Sequence, residues 1–310
     1  MMTIDPEDYL EPLCPLEEPC GCGHGHGDCG HEHIHGSGPG AEYTHGNGPL
    51  HEHGAPGGGH HVHAGRIPMR EIIEECDRLF NTERPVELGE HLRKWRAEAQ
   101  RIGDREGELG ILSELMGHYR MQGDRERGLA AVRDGFTLLG KLGIGGSVSA
   151  GTILINGATA LQAFGEIDES LNYYKEAFRC YGAHLDPNDW RFAGLLNNMA
   201  AAYAAKHDVR YAEAYYRKAL DVLKACGNLM DAAVTHVNLA QMYAAEAGPG
   251  DPRIPAELDL AATCFDDPAA ERDGYYAHTC RKCAPAFGPL GRPEFEAELN
   301  RRADEYYARA

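Results

Sequence analysis

Nine residues near the start of the chain have the types and spacing to bind a soft metal ion. They are Cys14, Cys20, Cys22, His24, His26, Cys29, His31, His33 and His35. Thiolate and imidazole suit zinc, nickel, copper or cobalt, and do not suit magnesium or calcium. Glycines interleave them, so the backbone can wrap until ligands two apart reach one ion. Asp28 and Glu32 stand among them and would add oxygen contacts. A second group follows at His45, His51, His53, His60, His61 and His63. Cys20-Gly-Cys22 is C-x-C, which is not the C-x₂-C…H-x₃-H pattern of a structural zinc knuckle. The redundant histidines fit a loose site for several exchanging ions, not one closed tetrahedron. Zinc or nickel is the expected cofactor. The plain alternative is a low-complexity linker whose metal binding is incidental.

Over the 45 residues 21–65, this composition resembles the His-rich tails of nickel and zinc metallochaperones and of SlyD-type prolyl isomerases. The resemblance implies metal handling. The segment has sharp edges. Residues 1–65 contain no Lys or Arg and hold ten acidic side chains, so they carry −10 of the chain's −18. Residues 21–65 include 15 Gly and almost no large apolar side chains. Such a segment cannot bury enough surface to offset backbone entropy, which predicts a disordered tail over 1–65.

Other chemistry is sparse. His278-x-Cys280-x-x-Cys283 has the look of a zinc half-site or a redox pair. There is no G-x-S-x-G or Walker A, and no G-x-G-x-x-G between a strand and a helix; His31-Glu32-x-x-His35 has the H-E-x-x-H form but stands in the Gly-rich tail, without the helical pattern that would put both histidines on one face. The expectation is that the chain is not an enzyme. A net charge of −18 argues against nucleic acid as a partner. No apolar run reaches the ~18 residues of a membrane span, so no membrane partner is expected. The acidic N-terminus MMTIDPEDYLEPL does not read as a secretory signal. Ten Cys without a disulfide-like framework fit the reducing cytoplasm, which is the expected compartment.

The elements behind these residues emerge from an internal repeat. From Arg66 onward the chain reads as amphipathic helices with short turns. Glu114-Leu115-Met116-x-x-Tyr119, Asn156-Gly157-Ala158-x-x-Leu161, Asn198-Met199-Ala200-x-x-Tyr203 and Asn238-Leu239-Ala240-x-x-Tyr243 align. Their starts are 42, 42 and 40 residues apart. Gly123, Gly165 and His207 fall nine residues after the first three starts, where a helix must turn. Small residues recur at Gly128, Ser170 and Ala212, and again at Gly135, Ala177 and Ala219. Val132, Tyr174 and Tyr216 stand between them. Paired helices approach closely only where a small residue faces the partner, with aromatics filling space a turn away. No hairpin buries its apolar face alone, so neighbours must stack.

The segment 193–220, AGLLNNMAAAYAAKHDVRYAEAYYRKAL, resembles a tetratricopeptide repeat. The period is longer than the usual 34 residues of that family and is similar to the repeats of kinesin light chain, as is the Asp186-Pro187-x-Asp189 linker. The resemblance covers about residues 109–245 and implies an all-α, right-handed superhelix of stacked hairpins over 66–310. Degenerate hairpins are expected at 70–101 and 278–309. Pro249, Pro252 and Pro255 predict an inserted loop before the last hairpin. In that frame Cys280 and Cys283 fall on packing positions and read as core residues, as do Cys76, Cys180, Cys226 and Cys264.

The same resemblance implies that Asn156, Asn198 and Asn238 face a concave groove. An Asn amide can serve both the N–H and the C=O of an extended peptide. Arg120, Thr159, Gln162, Asn197 and Gln241 neighbour this row by spacing; His278 extends it and Glu114 replaces Asn at the other end. The alternative is that these Asn bond adjacent repeats and fix the superhelical twist. Family members that clamp a C-terminal carboxylate carry Lys where this chain has Ser113, Ile155, Asn197 and Val237, so such a clamp is not expected. The net-acidic body favours a neutral or basic protein or peptide segment. Two readings therefore stand: a scaffold that binds such a segment, and a metal store or delivery protein whose superhelix docks a client.

Overall fold

The computed structural model describes residues 65–82 and 84–309. The ligand candidates Cys14–His35, the second histidine group and the disorder expected of the tail lie outside the described residues.

Twelve helices run through the described residues in six hairpins. They are α1 (Met69–Asn81) with α2 (Pro85–Ile102), α3 (Arg105–Met121) with α4 (Arg125–Leu142), and α5 (Val148–Ala163) with α6 (Ile167–Gly182). Then come α7 (Trp190–Ala205) with α8 (Val209–Cys226), α9 (Leu229–Ala247) with α10 (Ile254–Asp266), and α11 (Gly274–Phe287) with α12 (Pro293–Tyr307). The odd-numbered helix of each hairpin from α3 onward also packs on the odd-numbered helix of the next, which makes the stack. The fold is all-α, as the repeat predicts.

Local chemistry starts and stops the helices. Asp104, Asp124, Ser147, Asp189, Asp208, Asn228 and Asp273 each cap a helix by accepting a backbone N–H in its first turn. Asp104 does more: its second oxygen accepts from Ile67 N at 2.9 Å and ties the start of the fold to α3. The three predicted turns have left-handed backbone, with φ of 65° at Gly123, 88° at Gly165 and 59° at His207. His207 is the single non-glycine residue with positive φ among the described residues.

Between hairpin partners the small rows do what close approach requires. Ser170, Ala212, Ala177 and Ala219 are fully buried, with Tyr174 and Tyr216 beside them. A Cβ at Gly135 would lie 2.3 Å from Met116 Cε of its own hairpin, and one at Gly128 would lie 2.4 Å from the ring of Phe164, at the end of α5 in the next hairpin. Cys280 and Cys283 are buried, and burial pushes both thiols up to about 12. They are core residues. Cys76 and Cys180 are also buried, whereas Cys226 and Cys264 are half-buried.

One expectation fails. The three prolines do not make an inserted loop up to the last hairpin. Only 248–253 turns, and α10 follows with Pro255 in its first turn. A first-turn proline loses no hydrogen bond, because that N–H has no helical acceptor.

Candidate peptide groove

Asn156, Asn198 and Asn238 occupy one register on α5, α7 and α9, three helices that pack side by side. All three are half-buried. Their partners differ. Asn156 donates from Nδ2 to Ser113 Oγ on α3 at 2.8 Å, which makes it a brace between neighbouring hairpins. Asn197 donates to its own Ala193 carbonyl at 3.1 Å and to Thr235 Oγ1 on α9 at 2.9 Å. Thr235 gives its proton to Asp231 O, so its oxygen is free to accept. Asn197 Oδ1 and Asn198 Nδ2 are buried and have no hydrogen-bond partner. Leaving such atoms unmatched costs about 1–3 kcal/mol each.

The flanking residues divide similarly. Thr159 donates to Ile155 O at 2.8 Å and lies 3.1 Å from Tyr174 OH, while Tyr174 donates to Gln162 Oε1 at 2.9 Å. These three knit the α5–α6 hairpin together. Arg120 and His278 are half-buried at opposite ends of the row, and Gln241 is exposed. At the clamp positions, Ser113, Ile155 and Val237 are buried and Asn197 is half-buried. Glu114 is half-buried, and burial together with the Asp77 carboxylate raises it to about 7. Protonated, it offers both a donor and an acceptor, though one donor fewer than an Asn amide.

Sequence reasoning missed a second polar group at α9. His236 Nδ1 lies 2.7 Å from Glu257 Oε2 on α10, and Arg217 of α8 donates to Glu257 Oε1 at 2.6 Å. Burial would raise the Glu257 carboxyl, but the bonds from His236 and Arg217 outweigh it and hold the carboxyl below its ordinary value. Tyr243 OH approaches Arg217 at 3.3 Å, and the Arg253 guanidinium sits 3.9 Å above the Tyr243 ring. A signal was present. His236 takes the register of Leu112, Leu154 and Leu196, two residues before the row position, and all three leucines are buried.

Among the described residues there is no cluster of His, Cys, Asp and Glu able to hold a metal ion. Nor is any described helix long and apolar enough to cross a membrane.

Comparison with known proteins adds three findings. No curated protein sequence matches the chain. Among solved structures, TPR-like repeats ascribed to a Podosopora anserina kinesin light chain share 16% identity. That match covers 65% of this chain and 95% of the other, with a TM-score of 0.47. BtubC (BKLC) from P. vanneervenii shares 14% identity over 79% of this chain and 92% of its own, with a TM-score of 0.45. The tetratricopeptide repeat family model matches residues 151–190, the α5–α6 hairpin with its following turn. Residues 151–190 thus match a tetratricopeptide repeat, and they sit in a stack of helical hairpins.

Proposed function

We propose that this protein is a non-enzymatic scaffold that holds an extended peptide or protein segment against α5, α7 and α9. The observation that supports it best is the pair on α7. Asn197 Oδ1 and Asn198 Nδ2 are an acceptor and a donor on adjacent residues, both without a hydrogen-bond partner. An extended backbone offers one N–H and one C=O per residue, the complement of that pair. Asn238 continues the row on α9. Asn156, committed to Ser113, fixes the spacing of the helices instead of binding. The net-acidic body favours neutral or basic segments.

The test is a panel of 15-residue peptides of basic, neutral and acidic composition, screened against the full chain. Basic and neutral peptides should bind, and Asn198→Leu with Asn238→Leu should weaken them about tenfold with little change in melting temperature. Asn156→Leu should lower the melting temperature instead. Equal binding by the Asn198→Leu/Asn238→Leu chain sinks the reading.

A second reading rests on the density of Cys and His at 14–35. In it the tail carries zinc or nickel and the superhelix docks the client that receives it. Native mass spectrometry of the tag-free chain separates the two. A fixed number of ions, lost when the four tail cysteines and the histidines at 24–35 are replaced, favours delivery. A broad, easily stripped distribution favours a linker.

A further inference from the structure

A cleft of about 500 Å³ opens between α2, α3 and α4. It lies at the opposite end of α3 from Arg120: its wall residue Arg105 precedes Arg120 by fifteen residues, about 22 Å of helix. Arg96 of α2, Arg105 of α3 and Lys141 of α4 converge on it, with the aliphatic Leu138 and Leu142. Two carboxylates also line it, but both are engaged. Glu108 accepts from Gln100 Nε2 at 2.5 Å and Arg105 Nη1 at 2.9 Å, and Asp134 accepts from Arg96 Nη2 at 2.5 Å. Lys141 has no ion-pair partner among the described residues, and Arg96 Nε is buried without a hydrogen bond, facing Glu108 Oε1 at 3.8 Å; three cations against two carboxylates leave one net positive charge. The cleft is thus a cationic spot with an aliphatic floor on a chain of net −18.

We infer that its occupant is the chain's own segment 1–18. Three observations single it out. The segment carries six acids, Asp5, Glu7, Asp8, Glu11, Glu17 and Glu18, and no base. It interleaves them with Leu10, Leu13 and Leu16, so it matches both the cations and the aliphatic floor. Residues 19–65 hold only four acids, among glycines. Third, the chain enters the fold beside the cleft. Arg66 pairs with Glu106 at 2.9 Å and Ile67 N bonds Asp104, which places the attachment point at the start of α3, where Arg105 also stands. Forty-six residues separate Glu18 from Gly65, and a Gly-rich tether of that length has a root-mean-square reach of about 37 Å. Tethering supplies a local concentration in the millimolar range, enough for a weak ionic contact to be occupied. The metal-ligand candidates from Cys20 to His63 then lie between two fixed ends.

Zero-length carbodiimide coupling of the full chain reads this directly. It joins a Lys amine and a nearby carboxylate as an amide, the carbodiimide taking up the water as a urea. The expected product is Lys141 joined to a carboxylate within 1–18, about fivefold above coupling of the same acids to the exposed Lys224. It should fall in 1 M NaCl, where the screening length is about 3 Å. A mixture of ¹⁴N and ¹⁵N chains shows whether the link is within one molecule. Three outcomes overturn the inference: equal yields at Lys141 and Lys224, links only to Asp134 or to acids at 28–52, or links between differently labelled chains, which would make a second copy the occupant.

Discussion

The α7–α8 and α9–α10 hairpins solve the same packing problem with opposite chemistry. In α7 the residue two places before the row is Leu196, and the fourth residue after the α8 cap is Ala212; both are buried. The same positions in the next hairpin are His236 and Glu257, which bond each other at 2.7 Å. A leucine and a small residue have been exchanged together for an imidazole and a carboxylate. Arg217 reaches over from α8 to the other carboxylate oxygen, so the polar pair also ties the two hairpins. Neither exchange is tolerable alone, because a buried charge without its partner is strongly destabilising.

The largest expected effect breaks that pair. Glu257→Ala strands the half-buried His236, leaves Arg217 with only its longer pair to Glu213, and should cost about 3 kcal/mol in urea unfolding. The double change His236→Leu/Glu257→Ala, which installs the residues of the neighbouring hairpin, should recover most of the loss. A Glu257→Ala cost no larger than that of Ser170→Ala would show that the two hairpins are not different in kind. The pH dependence carries the same signature. The native Glu257 carboxyl is held below its unfolded value, so its contribution is present above about pH 4.5 and disappears as pH falls through the lower native value.

Next in size is the steric limit of the regular hairpins. Gly128→Ala pushes a methyl into the Phe164 ring and should cost about 2 kcal/mol. Gly135→Ala meets only the flexible end of Met116 and should cost less than half as much. Equal losses would mean that the ring can move aside.

Smaller again is the effect of Glu114, whose sign opposes that of Glu257. Its native carboxyl is raised to about 7, so the folded state holds a proton that the unfolded chain has lost. Stability therefore falls as pH rises from about 4.5 through 7, and is flat above. A shift of that size is worth about 3 kcal/mol, and burying an amide in its place takes back about 2, so Glu114→Gln should remove the slope and add about 1 kcal/mol at pH 8, read from thermal melts across pH. The smallest effect sits at the turn between α7 and α8. His207→Gly relieves a left-handed histidine and should stabilise by about 0.5 kcal/mol, whereas Gly165→His at the equivalent turn should do the reverse.

The regular hairpins were legible because packing leaves marks at fixed intervals. Small residues at 128, 170 and 212, and turn residues at 123, 165 and 207, are dictated by contact distance and backbone sterics. The α9–α10 hairpin was less legible for the same reason. Its small residue became Glu257, its turn lengthened, and Pro255 read as a breaker although it stands in the first turn of α10. The row was legible as a register but not as a set of bonds. Whether an Asn meets a neighbour depends on the offset between adjacent odd-numbered helices, which spacing within one repeat does not encode. That offset brings Ser113 to Asn156 and Thr235 to Asn197, and brings no hydrogen-bond partner to Asn198 Nδ2.

The buried thiols have a kinetic consequence. Cys76, Cys180 and the Cys280/Cys283 pair sit in the first, third and sixth hairpins, each pushed above the ordinary thiol range. An alkylating reagent at neutral pH cannot reach them until the surrounding helices separate, because reaction needs both access and a thiolate. Each therefore acts as a local clock, and its labelling rate counts openings of its own hairpin. A stack held by nearest-neighbour contacts should open from its ends, so the clocks at 76 and 280/283 should run faster than the one at 180.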